Sequence, residues 1–368
     1  MDADHEGHPR SGGAHVRHRT MGERWSAFTS SPFLPAIVLT FILAAAAGLF
    51  AGSYTYNMAN PTPHRIPAAT VGPTGTATAT AFVNGMEKTL NGSLELRRYP
   101  SDAAARRAVE EQEVFAILTF RKDLVDFAVA SAAGASVAQL LTETALPVAK
   151  ATGVPVRISD VKPLQKGDPR GLALFYVSLA AVVIGFIGAI QLSIHAAGLN
   201  RWARIAFTVA YSLLGAFTIV SVVDWWLGAL IMPFVESWLI LAFTMFTSGM
   251  VFTMFNTLMG RWAMLPTWVL LVMLGNPSSG GAVSWPLLPS ALGHIGRWLP
   301  PGASINANHT AVYFGNAQHA FPFAVLAGWA FVSLAVFLSW RRRHPGRREH
   351  NPAHAGTDRG TGAGPGAE

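Results

Sequence analysis

Apolar residues along this chain gather into long, almost uninterrupted blocks. Pro35 to Ser53 is the first, and several more crowd the stretch from Gly171 to Trp340. A helix needs roughly 20 apolar residues to cross a bilayer. The pattern therefore predicts membrane-spanning helices over about 34–53, 171–194, 203–223, 236–258 and 321–340. A further apolar run begins near Trp262 but stops at Leu274. The expected architecture is an α-helical integral membrane protein with six spans, one before and five after an inserted domain. The spans after the insert make a membrane bundle over 169–340.

The insert, residues 54–168, reads as a small α/β domain. Strands are expected at Ile66–Val71, Ser93–Tyr99, Val114–Phe120, Leu124–Ala130 and Val154–Val161. Helices are expected at Thr76–Leu90, from Ser101 and Asp102 to Gln112, and at Gly134–Thr152, with Ser101 as an N-cap. Alternation of strands and helices favours one sheet covered by helices.

Composition agrees with the membrane reading: 51% of residues are hydrophobic and only 13% charged, about half the charge of a soluble protein. The net charge of +7 is spent at helix ends rather than in a nucleic-acid-binding patch. Arg10, Arg17, Arg19 and Arg24 precede the first span, and Arg341, Arg342, Arg343, Arg347 and Arg348 follow the last. Arg201, Arg204 and Arg261 fall between spans as cytoplasmic-face candidates. Basic flanks hold helix ends in the cytoplasm, so both termini are expected inside, as is usual for a multi-pass protein of the bacterial inner membrane. The domain 54–168 is then extracytoplasmic.

The first span is expected to be an anchor rather than a cleaved signal, because a polar tail precedes it and "AGSYTYNMANP" is a weak cleavage site. Residues 1–33 and 341–368 read as disordered cytoplasmic tails, the second basic. His5, His8, His15 and His18 have no spacing that fixes a metal geometry. There is no cysteine, hence no disulfide or thiol chemistry. No phosphate-binding GxxxxGK[ST] loop, G-x-S-x-G elbow or HExxH motif occurs. Neither an enzymatic activity, a cofactor nor a metal is expected.

The most unusual stretch is "LPTWVLLVMLGNPSSGGAVSWPLLPSALGHIGRWLPPG". Pro266 interrupts its apolar start, and Asn276-Pro277-Ser278-Ser279-Gly280-Gly281 then breaks the helix. Broken backbone at membrane depth survives only when buried in protein or lining a wet cavity. One reading is a re-entrant hairpin closing a translocation path; the other is an outside loop with an interfacial helix. Asp224 and Glu236 bracket a turn at the outer boundary, where water reaches them. No nucleophile, metal or cofactor accompanies them to make an enzyme. Gln191 and His195 sit near the inner end of the second span. Gly185, Gly188 and Gly249 are small residues that allow close helix contact.

Three stretches, Asp123–Gly134 ("DLVDFAVASAAG"), Gly275–Gly281 ("GNPSSGG") and Arg297–Gly302 ("RWLPPG") followed by Asn306, carry a family likeness. With them goes the layout of anchor helix, external insert, five further spans and a helix-breaking segment before the last. Over about residues 34–340 the chain resembles the ABC-2 type transporter permease superfamily, in particular the branch containing the phage infection protein. The resemblance implies a homodimeric permease with a cytoplasmic coupling surface and a separate ATP-binding subunit. It also implies short re-entrant helices within 276–302, making Asn276, Pro277, Ser278, Ser279, Gly280, Gly281, Pro300, Pro301 and Gly302 gate candidates. Two departures stand out. Members of this branch often lack an obvious partner ATPase, and "GERWSAFTSSPF" is the only candidate coupling helix. The expected function is export of an amphipathic or hydrophobic substrate (a lipid, a drug or a peptide) by alternating access. The alternative is a non-transporting surface or secretion-accessory protein that docks phage or cell-envelope partners through its external domain.

Overall fold

The structure, a computed structural model, describes residues 33–59, 61–315 and 317–343. The expected tails lie outside the described residues, except for Phe33 and the helical backbone of 341–343. Among the described residues five helices are long and apolar enough to cross a membrane, so the chain reads as a helical membrane protein.

The first, α1 (Phe33–Met58), is apolar all round, with a mean hydropathy of 2.4 and no charged residue along its length. A helix without a polar face is suited to lipid on every side.

The sheet domain contains β1 (Ile66–Val71), α2 (Ala77–Thr89), β2 (Leu94–Arg98), α3 (Asp102–Glu110), β3 (Ala116–Phe120), β4 (Val125–Val129), α4 (Ala135–Thr152) and β5 (Val156–Asp160). All eight lie where the alternating pattern puts them. The strand order is β2-β1-β3-β4-β5, parallel except for the β3–β4 hairpin. Every residue of β1 is buried, as a strand covered on both faces requires. Its alternate residues serve opposite faces. Ile66 and Ala68 join Phe82 and Met86 of α2 and Leu141 and Val148 of α4. Ala69 and Val71 join Ala105, Ala108 and Val109 of α3. Arg97 and Glu95 pair on the edge strand β2, and Asp126 of β4 binds Arg121 of the hairpin and Arg157 of the other edge strand, β5. Ser101 accepts from Ala104 N at 3.2 Å, the cap its position predicts.

The bundle begins at α5 (Ala173–His195). The buried Asp168 caps it, accepting from Leu172 N at 3.0 Å and Ala173 N at 2.9 Å. A carboxylate there offsets orphan donors and the positive helix end. Helix α6 (Arg201–Ser221) continues as a π-turn, Val222–Trp226, which exposes Trp225 and Trp226. Helix α7 (Phe234–Met259) is the most enclosed of the five. The glycines expected at helix contacts are there. A Cβ at Gly185 would stand 2.6 Å from the Met245 carbonyl oxygen of α7. The Tyr211 hydroxyl of α6 donates to the Gly185 carbonyl at 2.7 Å, and it occupies the space a Cβ on Gly249 would need.

The span expected to begin near Trp262 is not a full-length helix. Helix α8 (Met264–Trp268) passes into a π-helical stretch, Val269–Leu274, and ends. At 1.5 Å per residue it covers roughly 16 Å, about half a bilayer core. Pro266 sits inside it, and Gly275, Asn276 and Pro277 stop it. Irregular backbone follows to a 3-10 turn at Trp285–Leu287. Two helices that the apolar pattern does not announce come next: α9 (Ser290–Gly296) and α10 (Pro300–Tyr313). Pro300, Pro301 and Gly302, three of the gate candidates, start α10, where the fixed φ of proline suits a first helical turn. The last span, α11, is Ala320–Arg343.

Candidate functional site

The sheet domain grips the segment between α8 and α10. Leu287 belongs to the core shared by α2, α4 and the sheet. The Ser284 amide donates to Ser136 Oγ at 2.9 Å, and that hydroxyl donates to Ser284 Oγ at 2.9 Å. Phe115 lies 6.1 Å from the Trp285 ring, and the His64 amide donates to the Pro286 carbonyl at 3.0 Å. At the α8 end of this segment, Asn276 Nδ2 donates to the Tyr54 hydroxyl at 2.7 Å, and the Ser53 hydroxyl donates to the Met273 carbonyl.

Glycines bring three stretches of backbone into direct contact. A Cβ on Gly296, at the end of α9, would fall on the Ser278 carbonyl; one on Gly302, in the first turn of α10, would fall on the Gly296 carbonyl. A Cβ on Gly281 would stand 2.6 Å from Ile305 of α10 and 3.1 Å from Phe175 of α5.

Between these pieces lies a cavity of about 1190 Å³. Its walls are the first turns of α4, the start of α5, residues 278–285, α9, one side of α10 and the start of α11. Helix α10 is the unusual wall. It is buried in the bundle yet carries Ser304, Asn308 and Thr310 inward. Thr244 of α7 donates to Ser304 Oγ at 2.9 Å, and the Gln112 side chain reaches Thr310 at 3.1 Å. Asn306 is the exposed residue on this helix, and it lines the cavity.

Of the gate candidates, Ser278, Ser279, Gly280, Gly281 and Gly302 line the cavity. Asn276, Pro277, Pro300 and Pro301 are buried behind that lining. Gly280 has φ +84 and open space around it, so its glycine serves the turn rather than a contact. Arg201, Arg204 and Arg261 do not belong to the cavity. They sit at the start of α6 and just past the end of α7, with Arg201 and Arg261 stacked on their neighbours Trp202 and Trp262 and Arg204 buried. Glu236 accepts from Gln318 at 2.8 Å, and Asp224 accepts from the Met232 amide at 3.4 Å. Neither acid lines the cavity.

Among the described residues no three His, Asp or Glu side chains gather as a metal site. His309 lines the cavity, and burial pushes its imidazole down to about 4, against a hydrogen bond with the Ala132 backbone that favours the charged form. In the unfolded chain the same group titrates near 6.5. Below that pH the unfolded state takes up a proton that the folded state refuses until about 4, so this group costs stability as pH falls through that window. Melting temperatures at pH 7.5 and 5.0 are expected to fall more for the native protein than for His309→Gln. Equal falls would place the imidazole in water in the folded state.

Sequence reasoning missed Gly296, Ser136, Trp285 and His309 as parts of one site. The signal available for α10 was Pro300-Pro301 followed by small residues, which reads as a helix start as well as a break.

No protein-family model matches this chain, and no curated protein is significantly similar to it.

Proposed function

We propose that this chain is a membrane permease subunit of the ABC-2 type that exports an amphipathic or apolar substrate. The observation that carries the reading is the cavity walled by irregular backbone at one end of a bundle of long apolar helices. Non-helical backbone is costly at membrane depth and is tolerated where it lines a wet space.

Chain direction supports a sixth crossing. Short connections make α5, α6 and α7 alternate in direction. Met264 follows the end of α7, whereas Gly281 packs on Phe175 at the start of α5, the opposite end of the bundle. On this reading α8 and the irregular backbone after it together complete the crossing. Six crossings leave both chain ends on one side. Arg201, Arg204 and Arg261 favour the cytoplasm of a bacterial cell for that side, with the sheet domain and cavity outside. The chain has no phosphate-binding loop, so a separate ATP-binding subunit supplies the energy to a homodimer that works by alternating access.

The test is purification of the tagged protein in a gentle detergent, with identification of co-purifying proteins and an ATPase assay. A nucleotide-binding partner whose hydrolysis depends on this chain, and which drives efflux from reconstituted vesicles, is the expected result. A homodimer with neither partner nor transport would overturn the reading and leave the docking role.

A further inference from the structure

The cavity is lined by two guanidinium groups, Arg170 and Arg297, and among the described residues by one acid, Glu143, whose carboxylate accepts from Gln139 at 2.9 Å. Arg297 is the distinctive group. Its guanidinium lies 4.2 Å from the centre of the Trp285 ring. Among the described residues it forms no ion pair. An exposed guanidinium held on an aromatic face and lacking a carboxylate is arranged to receive an anion. The first turn of α4 faces the same space. Its N-cap is Gly134, and no side chain caps it, so its amide donors add positive potential there.

The apolar part of the lining lies at a membrane boundary. Trp298 and Phe321 meet edge to face at 4.9 Å, and both are exposed. Phe321 belongs to the first turn of the spanning helix α11, and Leu174 to the first turn of α5. Ends of spanning helices mark interfacial depth, where aromatic side chains of this kind collect. The cavity therefore joins a cationic lining to an aromatic rim that a lipid-borne molecule can reach from the side.

We infer that this cavity binds an anionic amphiphile, with its carboxylate or phosphate on Arg297 and its apolar chain running past Trp298 and Phe321 toward the bilayer. The inference rests on the permease reading and names its substrate class.

The test uses the full chain in a neutral maltoside detergent with a dansyl-labelled undecanoic acid as probe. Saturable binding is expected, with the methyl ester of the probe weaker by roughly ten-fold or more, as loss of a charge-assisted contact requires. Arg297→Gln is expected to weaken the acid by a similar factor, Arg297→Lys to fall between, and Glu143→Gln to bind at least as well as the native chain. Gel filtration and circular dichroism check that each variant is folded. Dodecyl phosphate should displace the probe and inorganic phosphate at equal concentration should not. Equal binding of acid and ester, or undiminished binding by folded Arg297→Gln, overturns the inference. Displacement by inorganic phosphate also overturns it, in favour of a soluble anion. The two readings fail separately. Partner-driven efflux without binding of the acid defeats this inference alone, whereas binding without partner or efflux defeats the permease reading alone.

Discussion

Replacing Gly296 with alanine is expected to remove the protein from the folded pool. The added Cβ would fall on the Ser278 carbonyl oxygen, 2.6 Å from its carbon and 2.8 Å from the Ser278 hydroxyl. The obstacle is mainly backbone, which cannot rotate aside as a side chain can. The same applies one layer further, where Gly302 bears on the Gly296 carbonyl. Displacing Gly296 therefore disturbs the end of α9, the first turn of α10 and the cavity wall at Ser278 together. Overpacking a tight site costs about 1–3 kcal/mol and sometimes more; with backbone on both sides, the upper end of that range is expected. Gly328→Ala in α11 is the control, because nothing lies within 4 Å of its new Cβ. That change should be neutral, or stabilising by up to about 1 kcal/mol through helix propensity. Gel filtration of fluorescently tagged variants checks both. Gly296→Ala should lose its monodisperse peak and Gly328→Ala should keep it. A native profile for Gly296→Ala would mean that the three backbones do not touch.

Leu287→Ala is expected to produce the second large effect, separable from the first. Leu287 is 2% exposed, and it fills the sheet-domain core although it comes from the segment between α8 and α10. Truncating a buried leucine costs about 2–5 kcal/mol. The loss should appear as a melting temperature lower by several degrees, and as faster hydrogen exchange. That exchange should quicken in residues 278–299 more than in the strands, because the sheet keeps its other apolar partners while the segment loses its principal anchor. Unchanged exchange at 284–287 would show that the Ser136–Ser284 hydrogen bonds and the Phe115–Trp285 contact suffice to hold the segment.

These variants act on parts of the molecule that differ in how far they could be read from the sequence. The strands and helices of 66–160 follow from a local pattern. Ile66–Val71 is a continuous apolar run because both faces of β1 are covered, and Ser101 announces α3 because its hydroxyl caps the first turn. The spanning helices follow from run length alone. Gly185 and Gly249 were legible as contact residues, though their partner, the Tyr211 hydroxyl, was not. The run from Trp262 to Leu274 and α10 went the other way. The apolar run from Met264 to Leu274 resembles a span until its length is counted. Pro300-Pro301-Gly302 resembles a break, yet prolines fit a first helical turn. Polar residues such as Ser304 and Asn308 argue against burial until α7 and the sheet domain surround them.

The sequence by itself therefore determined the class of protein, the order and length of its apolar helices, and the strands and helices of the inserted domain. Each depends on interactions among residues within about one helix or strand of each other. Tertiary structure alone decided that Ser278, Gly296 and Gly302 share one contact, that Leu287 anchors the segment between α8 and α10 in the sheet domain, and that Arg297 stands on Trp285 in a cavity that the first turn of α4 also lines. Those are contacts between segments far apart in the chain. They are set by how the helices pack and by where the sheet domain docks, which no local periodicity encodes.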